Sequence, residues 1–280
     1  MTSQDKAKQI ERLKANIVNA DDPDGIDVEL VDRLMVRDSF ACIRGLFDPV
    51  QIGNVYESIK SGFSAAKDNP AIGEKPGAVM KNFQKISIGG AGMHWDYRPR
   101  FMRVLYNPLW EPDVYGMHET FRRLAAVRNR LQGKPVGYAI DVVEDNLWTA
   151  ARMQHYPAGG GNISRHRDVV ISTVTGDAGV KKFHQILLLL TTKGKHFSEG
   201  GAFIELEGET IEFEEEFGAG DVLLYDGRTM HGVRDIDPHV VPNLNTLDGR
   251  LVAMVSLYKD MSRDATVYDG YEDCDIDAEA

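Results

Sequence analysis

The chain has 280 residues, 42% hydrophobic and 27% charged, a composition typical of a soluble globular protein with a sizeable core. Its 43 acidic against 32 basic residues leave a net charge of −11, which argues against a nucleic-acid surface. Only Cys42 and Cys274 are present, too few for a disulfide framework, and the chain shows neither a signal-peptide pattern nor an apolar run of roughly 20 residues to span a membrane, so a cytoplasmic setting is expected.

Residues 4–19 read as a short amphipathic helix with Ile10, Leu13 and Ile17 on one stripe, broken by the Asp/Pro/Gly-rich segment 21–25. Residues 39–47 read as a strand. Asp48 and Pro49 are an N-cap and a first-turn proline, so a helix is expected over 49–65. Residues 66–100, rich in glycine and proline, read as irregular. A helix is expected over 114–132, with Phe121, Leu124, Val127 and Leu131 on its apolar stripe and Arg122, Arg123, Arg128 and Arg130 on its wet face.

After Gly133 the pattern changes to short apolar runs punctuated by turn residues: 137–143, 147–156, 168–174, 183–191, 201–206, 210–213, 220–226 and 250–258. Several short strands with regular turns predict an all-β sandwich or barrel. The residues from Asp264 onward are acidic and poor in large apolar groups, which reads as a solvated tail or a lid over the site.

The chemistry is concentrated in His166-Arg167-Asp168, with a second histidine at His231 and an arginine at Arg250. Side chains two apart on a strand share a face, so His166 and Asp168 can chelate one ion while Arg167 points away. His231 follows the apolar run 221–227, where a strand end would bring a third ligand alongside. Two imidazoles and one carboxylate on one face of an octahedral iron(II) leave the opposite face open. A second such pair, His94 and Asp96, has no following barrel pattern and reads as structural or substrate-binding. His184 reads as a hydrogen-bonded structural histidine, and Arg98, Arg100 and Arg103 as a solvated basic face or an anion-recognising set.

The segment 155–168, a Tyr-Pro pair, a glycine-rich turn and then His-x-Asp, resembles the iron(II)/2-oxoglutarate oxygenases, especially the prolyl-hydroxylase-like branch. Segments 197–206, 218–233 and 249–258 resemble that family's glycine-pair strand, its distal-histidine strand and its arginine-bearing strand. The resemblance covers roughly residues 147–260 and implies a mainly β fold with flanking helices (α+β), a distorted double-stranded β-helix of the jelly-roll, cupin-like kind. It implies one oxygenase domain over 1–280, with 1–135 a helical and irregular support and lid region, 136–260 the core and 261–280 the acidic tail.

The resemblance also implies Fe(II), 2-oxoglutarate and O2. His166, Asp168 and His231 would hold the metal. Arg250, Tyr156 and Gln154 would hold the co-substrate, whose distal carboxylate suits a guanidinium fork. Arg152, His94 and Arg228 are the substrate-binding candidates. Two features depart from the family pattern. Arg250 follows His231 by nineteen residues, which places an extended loop at 235–248 near the site and leaves Arg234 as a competitor. Val252 stands where a serine often follows the arginine. Asp168, in a position that halogenating relatives fill with a small residue, favours hydroxylation, desaturation or ring formation. The expected substrate is a small molecule, with no nucleic acid or membrane as partner. A protein or peptide side-chain hydroxylase and a non-enzymatic cupin-like binding protein are the alternatives.

Overall fold

A computed structural model describes residues 3–70, 76–89, 99–168 and 184–259. The expectations for His94 and Asp96, for most of the 168–174 run and for the acidic tail lie outside the described residues. Five helices occur among those described: α1 (Ser3–Lys14), α2 (Val28–Asp38), α3 (Pro49–Gly62), the single turn α4 (Pro76–Val79) and α5 (His118–Leu131). The strands are β1 (Ile17–Asn19), β2 (Phe40–Arg44), β3 (Phe83–Gly89), β4 (Arg100–Tyr106), β5 (Leu147–Pro157), β6 (Gly161–His166), β7 (His184–Leu189), β8 (Gly201–Leu206), β9 (Glu209–Glu212), β10 (Val222–Asp226), β11 (His231–Ile236) and β12 (Gly249–Lys259).

Hydrogen bonding runs in the order β1-β2-β10-β7-β12-β5-β4-β6-β11-β8-β9, with β3 on β4. From β5 onward this is a double-stranded β-helix. Strands β5, β12, β7 and β10 form one half, and β6, β11, β8 and β9 the other. The chain crosses between halves at β5–β6, β6–β7, β7–β8, β9–β10, β10–β11 and β11–β12, which is the connectivity of a jelly-roll. Alternation along β5 and β12 sorts their residues onto two sides. Trp148, Tyr156, Val252 and Met254 pack inside the barrel with Leu187, Leu223 and Ile204. Ala151, Met153, Leu251 and Ala253 face outward onto Ile52 and Ile59 of α3 and Phe121, Leu124 and Val127 of α5. The helices therefore back one half of the barrel and leave its interior to the site.

Local sequence explains several boundaries. The Asp48 carboxylate accepts from the Val50 amide at 2.8 Å, with Pro49 in the first turn, and starts α3 where expected. Helix α2 was not expected. Asp27 caps it through the Leu30 amide at 2.9 Å. Helix α1 stops at Lys14, short of residue 19, because 17–19 pair in parallel with 42–44 as β1. Tertiary pairing outweighs helical periodicity there, although Leu13 is buried as the stripe predicts.

Residues 66–100 are not irregular throughout. Strand β3 lies within them and pairs with β4 from Phe83↔Tyr106 to Gly89↔Arg100. Its alternation is hidden because Gln84, Lys85 and Ser87 are buried polar residues. Residues 137–143 are turns rather than a strand, with Ala139 at φ +51°. The wet-face assignment of Arg128 is also corrected. It is buried, and its guanidinium donates to Asn129 Oδ1, Thr149 Oγ1 and the Tyr138 carbonyl. These polar acceptors let a helix stripe carry an arginine inward, and burial pushes its pKa down to about 9.

Candidate metal centre

His166 is the last residue of β6 and His231 the first of β11, and they sit directly opposite in the antiparallel register. Cross-strand pairing therefore brings the imidazoles together, with ring centroids 4.3 Å apart. Asp168 is not on the same strand as His166, as simple alternation requires. It lies two residues beyond the strand, where its amide donates to the Gly227 carbonyl at 2.8 Å. That bond ties it to the turn leading into β11.

Each imidazole is oriented by a backbone carbonyl. His166 Nδ1 lies 2.8 Å from the Ser164 carbonyl and His231 Nδ1 2.8 Å from the Thr229 carbonyl. Carbonyls only accept, so both Nδ1 atoms carry the proton and both Nε2 lone pairs are free. Those Nε2 atoms face the Asp168 carboxylate at 3.5 Å and 3.4 Å. All three donor atoms lie within 4.8 Å of one another. Three cis ligands at about 2.1 Å from one ion stand about 3 Å apart, so a small contraction closes the set around a cation. Two neutral nitrogens and one carboxylate suit Fe(II) better than a soft-ligand metal. Burial alone pushes the Asp168 carboxyl up, but its contacts with the two imidazoles outweigh burial and hold the group well below the usual carboxylate range. Gln185 Nε2 donates to Asp168 Oδ2 at 2.8 Å and fixes the carboxylate further.

Arg250 projects from the first turn of β12 into the barrel and is buried. Its Nε donates to Glu214 Oε1 at 2.5 Å, while Nη2 is buried with no hydrogen-bond partner among the described residues. The guanidinium carbon sits 5.4 Å from the ring centroid of Tyr156, its register partner on β5. A buried, unpartnered guanidinium nitrogen is costly unless something occupies it. A carboxylate bound end-on across Nη1 and Nη2 satisfies it. The residues therefore fit a 2-oxo dicarboxylate as well as the metal. The competitor Arg234 is half exposed and pairs with Glu212 at 2.8 Å, outside the barrel.

Tyr156 is buried, and its hydroxyl donates to Gln154 Oε1 at 3.1 Å. Burial pushes its pKa up to about 12 against the opposing pull of Arg250, so it stays a neutral donor. Arg152 shares this face. It is buried, and its Nη1 contacts the Ala150 carbonyl at 3.3 Å and Ser256 Oγ at 3.2 Å, with its guanidinium 5.2 Å from the Tyr258 ring. Arg228 lies instead on the β10–β11 turn, largely exposed and paired with Asp226 at 2.7 Å.

The segment 235–248 needs a correction. Asp235 and Ile236 belong to β11, and the loop begins at 237. It leaves the end of β11 opposite His231, roughly 16 Å along the strand at 3.3 Å per residue. It packs at the far end of the barrel, where a Cβ on Gly159 would meet Pro242 at 2.7 Å. Three site residues carried no readable signal. Gln185 opens an apolar run, Tyr225 closes one with its ring 4.7 Å from that of His231, and Glu214 sits in an acidic stretch that reads as solvated.

This fold matches a Pseudomonas putida prolyl-4-hydroxylase with a TM-score of 0.50, over 83% of this chain and 98% of that one, at 11% identity. The chain has the fold of the iron(II)/2-oxoglutarate oxygenases. The oxygenase fold is also that of the alpha ketoglutarate dependent epimerase SnoN from nogalamycin biosynthesis (14% identity, 83% and 82% coverage, TM-score 0.47). A 2OG-Fe(II) oxygenase family oxidoreductase from Burkholderia pseudomallei matches at 11% identity, 81% and 87% coverage and a TM-score of 0.42. No family model and no curated protein matches the sequence.

Proposed function

We propose that this chain is an Fe(II)- and 2-oxoglutarate-dependent oxygenase that hydroxylates, desaturates or cyclises a small molecule. The observation that carries the reading is the pair of Nδ1-tethered imidazoles, both presenting Nε2 to one buried carboxylate inside this fold. Bound there, the iron supplies dioxygen activation coupled to decarboxylation of 2-oxoglutarate to succinate and CO2. The chain supplies orientation and shielding. His166, Asp168 and His231 would hold the metal, Arg250 would grip the distal carboxylate, and Tyr156 with Gln154 would offer neutral hydrogen bonds beside it. Arg152, Ser256 and Tyr258 line the same side of β5 and β12 and stand ready for a polar substrate group. The burial of Arg152 favours a small molecule over a protein side chain. Among the described residues, no helix is long and apolar enough to cross a membrane.

Anaerobic Fe(II) plus 2-oxoglutarate is expected to give a weak visible charge-transfer band, and succinate is expected to form under air. Neither signal appearing would favour a cupin-like binding protein. A metabolite panel tested against candidate peptides separates the two substrate classes. Arg250→Lys keeps the charge opposite Glu214 but loses the planar fork. It is expected to weaken 2-oxoglutarate binding by about 10-fold or more, with metal affinity unchanged. An unchanged co-substrate affinity would remove Arg250 from the site.

A further inference from the structure

We infer that Glu214 is a built-in counter-anion that shares Arg250 with the co-substrate and thereby sets a low affinity for 2-oxoglutarate. The inference rests on the reading of Arg250 as the co-substrate anchor. The two side chains are 1% and 2% exposed, and Glu214 Oε1 takes Arg250 Nε at 2.5 Å. The other Glu214 oxygen accepts from the Ala202 amide at 2.7 Å, so the carboxylate is fixed to β8 rather than chelating the guanidinium from one side. Gly201 makes room for it: a Cβ there would lie 2.9 Å from Glu214 Oε2. Gly201, the first residue of β8, thus makes the pocket for this carboxylate.

The result is a guanidinium whose charge is already matched but whose hydrogen bonds are not. Among the described residues only Nε is engaged, and Nη2 remains unpartnered. An incoming distal carboxylate gains the end-on fork but meets Glu214 on the far edge of the same cation. In a site this buried, repulsion between two carboxylates a few ångströms apart is weakly screened. A simple positioning role for Glu214 predicts that its loss weakens co-substrate binding. A shared counter-anion predicts the reverse, because without Glu214 the buried cation is unpaired until the ligand arrives.

Glu214→Gln preserves shape and removes the charge. The full-length variant is expected to be less stable than the parent without ligand. It is also expected to bind 2-oxoglutarate on the order of 10- to 100-fold more tightly, with a larger thermal up-shift on adding it. Equal or weaker binding, with Arg250→Lys still impaired, overturns the inference and leaves Glu214 a positioning residue. An unimpaired Arg250→Lys instead overturns the anchor reading itself. If Glu214→Gln does not fold, the parent protein decides alone by comparing 2-oxoglutarate with its distal amide, 2-oxoglutaramate. A preference for the dianion below about 30-fold supports a neutralised anchor, and a larger one overturns it.

Discussion

Replacing His231 with alanine is expected to abolish iron(II) binding and turnover while leaving the fold intact. The substitution removes one of three donors and leaves a single imidazole and a carboxylate, too few to hold a facial site. Losing an outer-shell partner typically costs 10–100-fold in metal affinity, and losing a ligand costs more than ~100-fold. Gln185→Leu supplies the internal comparison. It removes the 2.8 Å hydrogen bond that orients Asp168 but keeps every donor, so metal affinity should fall within the smaller range. His231 packs against the Tyr225 ring and lies at a strand end, so the apo variant should unfold within a few degrees of the parent. Anaerobic calorimetry with Fe(II) and thermal unfolding of the apo proteins check both points. Full metal binding and turnover in His231→Ala would sink the site assignment.

The clustering of His166, Asp168 and His231 was legible because the pattern of residue types is unusual. Few sequences place His-x-Asp after a glycine turn with a distal histidine at a strand end, and the geometry brings all three donors together. Alternation along one strand does not unite His166 and Asp168; the β6–β11 pairing and the Asp168–Gly227 bond do. Strand β6 was legible only through the His166–Asp168 spacing and the resemblance, because its sequence, 161–166, is mostly polar and forms no apolar run. Buried polar groups were the systematic blind spot. Arg128, Glu214 and Arg103 all carry charges that reading by composition assigns to solvent. Apart from Asn129 beside Arg128, the acceptors or donors that permit burial come from distant parts of the chain or from backbone atoms, and neither leaves a local pattern. Arg250 was legible through the resemblance, but its partner was not.

Arg103 shows how far such a group can matter, and Arg103→Met is expected to cost about 3–5 kcal/mol of stability. Read as part of a solvated basic face, it is instead fully buried on β4. Nε and Nη2 hold the Asp68 carboxylate bidentately at 2.9 Å and 2.8 Å, and Nη2 also donates to the Leu244 carbonyl at 2.8 Å. Nη1 lies 3.0 Å from His155 Nδ1. A guanidinium cannot accept, so His155 Nδ1 must, and its proton sits on Nε2, which donates to the Asp248 carbonyl at 3.0 Å. With Tyr56 donating to the Leu247 carbonyl, these contacts pin the 237–248 loop just before Arg250 enters the barrel. Methionine strands the Asp68 carboxylate, the Leu244 carbonyl and His155 Nδ1 at once. Adding Asp68→Asn should recover much of the loss, since a stranded charge is the dearest part of a broken buried pair.

The same network sets a pH dependence. Burial, reinforced by Arg103, pushes His155 down to about 3 from an ordinary 6.5. The unfolded chain therefore protonates first as pH falls. The stability that neutral His155 contributes is fully present above about pH 6.5 and is lost progressively from there toward pH 3, by about 2 kcal/mol at pH 5. Without Arg103 the histidine protonates more readily in the folded state, so the slope between pH 7 and 5 should flatten. Urea unfolding at pH 7.5 and 5.0 for parent, Arg103→Met and the double variant measures both effects. A cost below about 1 kcal/mol with an unchanged slope would mean that the network is incidental.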